Sequence, residues 1–183
     1  GTEGVVGSVK DERDKMTWFE YDADLNRREI RTHVGRRTTM DYDAYGRMVR
    51  RVDPRGNEPG NNPLDYDTTF TYDAEDRLKT TTDARGAVTE FWYDGNGNRT
   101  RVKDALTRET VYVYDDLNRL TETHLPNTGV AKSTYDAVGN VLSEESPTGE
   151  ITRYTYDGAS RRVTMVTPRG NAAGADPLLY TWR

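Results

Sequence analysis

Cysteine is absent from the 183 residues, which excludes disulfides, thiolate metal sites and cysteine nucleophiles. Histidine is nearly absent as well, since only His33 and His124 occur and neither belongs to an HExxH or similar pattern. Both histidines are therefore read as solvated residues of a loop or strand. The sequence predicts no catalytic residue, no metal site and no bound cofactor, and hence a protein that is not an enzyme.

Aliphatic residues are also scarce. Hydrophobic residues make up 33% of the chain and charged residues 31%, against roughly 45 to 50% apolar residues in an ordinary domain. No apolar run approaches the roughly 18 residues of a membrane helix, and the first residues lack a charged and then apolar leader, so neither a membrane span nor a signal peptide is predicted. The 26 basic and 31 acidic residues are intermixed, which argues against nucleic acid as a partner.

What the chain does have is an internal repeat. A Tyr-Asp pair recurs at a constant spacing of 21, with one longer spacing of 30. The pairs are Tyr21 and Asp22, Tyr42 and Asp43, Tyr72 and Asp73, Tyr93 and Asp94, Tyr114 and Asp115, Tyr135 and Asp136, and Tyr156 and Asp157. The sequence thus predicts a single repeat array over residues 1–183, with a partial repeat at 1–20 and repeats starting at 21, 42, 72, 93, 114, 135 and 156.

The longer spacing comes from an insertion of nine residues that itself recurs. PRGNEPGNNPLDY at 54–66 returns at 168–180 as PRGNAAGADPLLY. The insertions proper are residues 57–65 and 171–179, and their Gly, Pro, Asn and Asp content predicts longer hairpin ends that project from one rim.

Two residues before the repeat tyrosines lies a column of mostly aromatic residues: Phe19, Met40, Phe70, Phe91, Tyr112 and Tyr154, with Ser133 as the exception. A spacing of two residues places this column and the tyrosines on one face of a strand. Packing of these side chains along the sheet is favoured over ligand binding, because a residue present in every repeat usually buries one unit against the next.

Each Tyr-Asp pair is followed by turn residues, as in DAYGR at 43–47, and a second turn such as DARG at 83–86 comes half a repeat later. Two turns per repeat leave two strands of about five or six residues each. The facing of the second strand stays open, because its apolar residues change position between repeats, and a bulge or a two-sided strand are both compatible with it.

The predicted fold class is all-β. Short consecutive strands form an antiparallel meander of about fourteen strands, and a sheet of more than about ten strands is expected to coil. We therefore expect a curved ribbon that resembles a β-solenoid. No helix is predicted.

The repeat unit resembles the YD repeats of the RHS-repeat family, which includes bacterial polymorphic toxins, insecticidal toxin complex cocoons and teneurins. The resemblance rests on YDAYGRMVRRVDPRGNEPG at 42–60, YDGNGNRTRVKDA at 93–105 and YDDLNRLTETHLPNTG at 114–129. It implies a secreted or cell-surface protein in which a spiralling β-ribbon forms the wall of a shell around a C-terminal toxin domain. The partners it implies are the remaining repeats of the parent shell and the enclosed toxin.

The chain departs from the family in length, since seven repeats make only part of a shell. It also lacks a recognisable match to the self-cleaving segment that ends such shells, so no protease aspartates are assigned. Open strand edges leave self-association as a further option. The alternative function is a carbohydrate-binding or adhesion module in which Trp18 and Trp92 contact glycans.

Overall fold

The computed structural model describes residues 6–171 and 181–182, which form strands with very little helix. The strands are β1 (Val6–Lys10), β2 (Met16–Tyr21), β3 (Arg27–Arg31), β4 (Arg37–Tyr42), β5 (Met48–Val52), β6 (Asp67–Tyr72), β7 (Leu78–Asp83), β8 (Val88–Tyr93), β9 (Arg99–Lys103), β10 (Glu109–Tyr114), β11 (Leu120–His124), β12 (Val130–Tyr135), β13 (Val141–Glu145), β14 (Ile151–Tyr156), β15 (Arg162–Val166) and β16 (Thr181–Trp182). Strand order in the sheet follows chain order from β1 to β16. The predicted all-β antiparallel meander is confirmed.

The chain divides into two compact units, residues 1–90 and 91–183, with the boundary inside β8. Among the described residues, no helix has the length and apolar character that crossing a membrane requires.

A β-bulge adjoins the repeat tyrosine in each of the six Tyr-Asp hairpins whose strand pairing the structure describes. In β10 and β11, Val113 faces Glu122 but Tyr114 faces Leu120, so Thr121 is the extra residue. The equivalent extra residues in the other hairpins are Arg28, Val49, Lys79, Leu142 and Val163. An extra residue reverses the alternation of side chains, so Leu120 before the bulge and Thr123 beyond it both lie on the face of the tyrosines, although they are three residues apart.

The bulge settles the facing of the second strand, which the sequence leaves open. Ile30 pairs with Phe19, and Met165 pairs with Tyr154, so both apolar residues lie on the aromatic face. Val163, by contrast, is the bulge residue of its hairpin and is 45% exposed. The apolar positions shift between repeats because positions before the bulge and positions beyond it both lie on the aromatic face. An apolar residue at either position therefore reaches that face.

Three short helical turns contradict the expectation that the chain has no helix. Residues Pro54–Asn57 and Pro63–Asp65 form 3₁₀ turns, and Pro168–Asn171 forms a single α-helical turn, α1. All three begin at proline, whose fixed φ suits the first turn of a helix and whose missing N–H would have no partner there.

The first insertion is anchored to β4 and β5. The side chain of Asn57 donates to the carbonyls of Arg37 (3.1 Å) and Val52 (3.3 Å), while Thr39 Oγ1 donates to Asn57 Oδ1 (3.3 Å). Val52 is only 3% exposed, and a Cβ on Gly56 would lie 2.6 Å from its Cγ1, so glycine is required there. Residues 58–65 are exposed. Residues 172–179 of the second insertion lie outside the described residues.

Deep burial is rare within the described residues. Apart from Gly56, the buried residues are Met40, Val52 and Glu29, and Glu29 is held by Arg31 (3.0 Å) and Arg37 (2.8 Å). No large side chain there is fully enclosed. Stability of such a sheet depends strongly on hydrogen bonds and on contacts between neighbouring strands.

The register predicts how the chain tolerates deletions. Deleting 112–132 removes one whole period in mid-strand and joins Val111 to Ser133, so every remaining side chain keeps its face. Deleting 112–131 falls one residue short of a period and turns the side chains beyond the junction to the opposite face. We expect cooperative urea unfolding, followed by circular dichroism, from the first variant only. Equal stability of the two variants would contradict the register.

Candidate functional site

The repeat aspartates shape the turns that follow the repeat tyrosines. Asp115 Oδ1 accepts hydrogen bonds from the N–H groups of Leu117 and Arg119, both at 3.0 Å, and Asp115 Oδ2 accepts one from Arg119 Nε at 2.7 Å. The residue three positions after each of these aspartates has a positive φ, such as 61° at Asn118. The same three bonds, with an Arg or Asn side chain as the third donor, are made to Asp22, Asp43, Asp73, Asp94, Asp136 and Asp157.

These bonds hold the carboxylates in their charged form. The side-chain hydrogen bond from Arg119, followed by the bond from its N–H, lowers the pKa of Asp115. The side-chain bond from Asn98 lowers the pKa of Asp94, and that from Asn140 lowers the pKa of Asp136. At Asp22, desolvation is the largest single influence and raises the pKa, but the bonds from Asn26 and Asp24 and the charge of Arg28 together lower it by more. The lowered pKa values suit permanent hydrogen-bond acceptors.

The hydroxyl groups of four repeat tyrosines each connect one repeat to the preceding one. Tyr135 donates to the carbonyl of Leu120 at 2.8 Å, fifteen residues earlier. The equivalent bonds run from Tyr42 to Arg27 (2.9 Å), from Tyr72 to Met48 (2.7 Å) and from Tyr114 to Arg99 (3.1 Å). Desolvation by burial raises the pKa of Tyr42, Tyr72 and Tyr114, so these phenols stay protonated and able to donate.

These bonds form where the backbone ladder between repeats stops. Pairing of β11 with β12 ends at Glu122 and Lys132, two residues short of Leu120. The ladders between β3 and β4, β5 and β6, and β9 and β10 end at the equivalent place. The tyrosine hydroxyl therefore supplies the donor that the neighbouring strand no longer provides.

In four turns the Arg or Asn four residues after the aspartate also reaches the following repeat: Arg47, Asn98, Arg119 and Asn140. Arg47 and Arg119 place their guanidinium carbons 4.9 and 4.8 Å from the ring centroids of Tyr72 and Tyr135, respectively. Arg47 is also paired with Asp76 in the next Tyr-Asp turn. Asn98 instead donates to Asn118 Oδ1 at 2.7 Å. Side chains of consecutive turns are thus linked along the rim.

The aromatic column is interleaved with arginine. Arg99 lies between two of its members, 6.0 Å from the Phe91 centroid and 5.3 Å from that of Tyr112. Arg27 and Arg162 occupy the equivalent position over Phe19 (5.5 Å) and Tyr154 (5.6 Å). Phe70 pairs with Thr81 across the ladder. Met40 is buried and the other column residues are half-buried, as are the seven repeat tyrosines.

Neither histidine takes part in the described contacts of the repeat tyrosines and turn aspartates. His33 is exposed in the turn between β3 and β4, and His124 in β11 is half-buried with Nε2 2.7 Å from Glu122 Oε2. No cluster of three or more His, Asp or Glu able to hold a metal ion occurs among residues 6–171 and 181–182.

Sequence reasoning recognised the Tyr-Asp pairs but missed the bonds between repeats. One signal was available, because all seven repeats carry Tyr and none carries Phe, which indicates a role for the hydroxyl. A second was the Arg or Asn at the fourth position after each Asp. Neither signal identifies the carbonyl that accepts the tyrosine hydrogen bond, because the choice of carbonyl depends on the register between strands that are distant in sequence.

The two tryptophans considered for glycan binding are already engaged or only partly accessible. Arg101 lies 3.7 Å from the Trp92 ring centroid. Trp18 is 37% exposed and lines a cleft of about 180 Å³ with Glu20, Glu29 and Arg31. Ligand pockets usually measure about 300 to 1,000 Å³, so this cleft is small.

Comparison with known proteins gives one family and one fold. The sequence model described as RHS Repeat matches residues 21–58, 93–130 and 135–172, more than half of the chain. A structure of the Photorhabdus luminescens Tc holotoxin pore with a TccC3 mutation is similar over 83% of this chain and 9% of that chain, with 14% identity and a TM-score of 0.68. A crystal structure of TcdB2-TccC3-Cdc42 matches 91% of this chain and 13% of that chain, with 16% identity and a TM-score of 0.40. No curated protein matches the chain.

Removing the hydroxyl that links two repeats should destabilise the protein. We expect Tyr135→Phe to lower the free energy of unfolding by about 1 kcal/mol, the net value of a typical hydrogen bond. Tyr112→Phe is the matched control, because the Tyr112 hydroxyl makes no hydrogen bond to any residue that the structure describes. Denaturant unfolding measures both variants, and equal losses of stability would contradict the role assigned to the Tyr135 hydroxyl.

The lowered pKa values of the repeat aspartates predict acid sensitivity. In the unfolded chain an aspartate has a pKa of about 3.9, so between that value and the lower folded pKa the unfolded state binds more protons. The stabilisation is therefore complete above about pH 4 and is lost as the pH falls through the folded pKa. Urea unfolding from pH 7 to pH 3 should show this decline.

Substituting one turn aspartate tests whether the turn carboxylates cause this pH dependence of stability. Asp115→Asn should reduce the loss of stability on acidification, because the amide does not titrate, whereas Asp116→Asn at the exposed neighbouring position should leave it closer to that of the parent chain. A larger change from Asp116→Asn than from Asp115→Asn would disprove the assignment to the turn carboxylate.

Proposed function

The chain belongs to the RHS repeat family, and we propose that it is a non-catalytic wall segment of a shell that encloses a toxin domain in a longer secreted protein. Its partners in this proposal are the neighbouring repeats of the same shell and the enclosed domain. The chain spans 9% of the Tc holotoxin chain whose fold it shares. In this proposal the wall segment is therefore one part of a much longer chain.

The observation that supports this proposal most directly is that the same contacts recur in several repeats. The hydroxyl of Tyr42 reaches into the preceding repeat just as those of Tyr114 and Tyr135 do, and the aspartate of each turn accepts the same three bonds. A binding or catalytic site needs a unique arrangement of side chains. A wall needs contacts that any repeat can make to the next.

The aromatic side chains fit a structural role better than glycan binding. A sugar ring packs against a free aromatic face, and arginines already cover the rings of Trp92, Tyr112 and Tyr154. The Tyr154 hydroxyl also donates to Glu144 at 2.6 Å. These rings hold neighbouring strands together instead of being presented to solvent as a platform.

The wall proposal is tested by extending the chain. A copy of residues 70–90 appended after Arg183 continues the repeat in register, because Arg183 occupies the position of Thr69 in the longer recurrence. A wall segment gains an additional interface between repeats and should have a higher thermal midpoint. An appended segment of the same composition in scrambled order is the control. An unchanged midpoint with the ordered copy would overturn the proposal.

Glycan titration separates the wall from the adhesion function. Intrinsic tryptophan fluorescence of the chain should show no saturable change with a panel of neutral, acidic and amino-sugar oligosaccharides. A saturable change that disappears in Trp18→Phe or Trp92→Phe would instead establish a carbohydrate-binding module.

A further inference from the structure

Three interfaces between repeats have an asparagine, at Asn26, Asn98 and Asn140, where two others have an arginine over the tyrosine ring of the following repeat. Arg47 and Arg119 bond to their own turn aspartates and lie over Tyr72 and Tyr135 of the following repeats. The residue in the same position before Tyr156 is Asn140, whose shorter side chain donates to Asp136 Oδ2 at 2.8 Å. The sequence separation from Arg119 to Tyr135 is the same as that from Asn140 to Tyr156, so the two pairs are equivalent.

A cleft occupies this position. It measures about 500 Å³ and is lined by Asp136, Asn140, Leu142, Tyr154, Tyr156 and Ser160, among others. Its volume lies within the range of about 300 to 1,000 Å³ that is usual for ligand pockets. Within the part of the chain that the structure describes, no guanidinium lies over the Tyr156 ring.

The other asparagine interface of this unit is filled differently. Asn98 and Asn96 both donate to Asn118 Oδ1, at 2.7 and 2.9 Å. The residues equivalent to Asn96 and Asn118 are Val138, which is 77% exposed, and Ser160, whose hydroxyl lies 3.3 Å from Asn140 Nδ2. The smaller hydroxyl and the solvent-exposed valine leave the space in front of Tyr156 open.

We propose that this cleft is a binding site for a guanidinium group, which would lie over the Tyr156 ring and bond to the Asp136 carboxylate. The chain itself shows the geometry twice, in Arg47 over Tyr72 and Arg119 over Tyr135. A planar guanidinium both stacks on an aromatic ring and donates to a carboxylate, whereas an ammonium group offers a point charge without a stacking plane.

The charges around the cleft leave one carboxylate, Asp136, without an ion pair among the described residues, and the nearby Arg119 guanidinium donates to the Asp136 backbone carbonyl at 2.7 Å instead. The side-chain bond from Asn140 lowers the pKa of Asp136, so this carboxylate is charged at neutral pH, and its Oδ2 has room for a further donor. Asp157 also lines the cleft and is paired with Arg161 at 2.8 Å. Glu144 accepts a hydrogen bond from Tyr154, and Arg162 lies over the Tyr154 ring. Asp136 is thus the carboxylate whose pairing a bound cation would complete.

The ligand probes are N-acetyl-arginine-N-methylamide and its lysine counterpart, added to the isotope-labelled chain and followed by amide chemical shifts. We expect saturable shifts at Asp136, Tyr156 and Ser160 with the arginine compound and roughly tenfold weaker binding of the lysine compound. Agmatine represents a free guanidinium compound, and an Ac-Gly-Arg-Gly-amide peptide represents an arginine side chain of a partner protein. The probe that binds more tightly identifies the source of the guanidinium group. Equal binding of arginine and lysine compounds, or no saturable shift, would overturn the proposal.

Substitutions within the chain test the site independently of the wall function. Asn140→Arg should fill the cleft from inside, abolish binding and raise the thermal midpoint by about 2 to 4 °C. Ala105→Arg adds the same charge at an exposed turn of the same unit and should change neither. Tyr156→Phe should retain binding and Tyr156→Leu should lose it, since the ring face is what the guanidinium contacts. Binding that survives in Asn140→Arg would refute the site, whatever the result of extending the chain.

Discussion

The hydrogen bond from a repeat tyrosine to a carbonyl of the preceding repeat is the contact on which the rest of the fold depends. Each hairpin closes its own ladder, but the ladder between repeats stops two residues early, as it does at Glu122 and Lys132. An unpaired peptide group in that position would weaken the junction. The tyrosine hydroxyl completes the ladder there, so a side-chain donor replaces a backbone N–H donor.

The other repeated features put that hydroxyl in place. The bulge before Tyr135 brings Val141 opposite it across the hairpin, and the Asp136 turn fixes where the next strand begins. Arg119 then bonds to Asp115, covers the Tyr135 ring and donates to the carbonyl of Asp136 at 2.7 Å. Polar and ionic contacts thereby do much of what an apolar core does elsewhere, which explains how a chain with 33% hydrophobic residues folds.

The sequence predicted the features that recur unchanged and missed those that depend on distant strands. The period, the Tyr-Asp turns and the all-β meander follow from residues repeated at fixed spacing. The bulge residues Arg28, Val49 and Thr121 share no side-chain chemistry, so nothing in the sequence marks them. The close approach of Gly56 to Val52 and the acceptors of the tyrosine hydroxyls depend on register, which a local pattern does not contain.

Uniform repeats also change where a particular function is to be sought in such a chain. A residue that is the same in every repeat serves the contacts common to all of them, so specific recognition has to arise where one interface differs from the rest. Substituting asparagine for arginine at one junction keeps the bond to the turn aspartate but uncovers the next tyrosine ring. The fold loses little by this exchange, because the turn, the ladder and the bulge are retained, and the uncovered ring becomes available to another molecule.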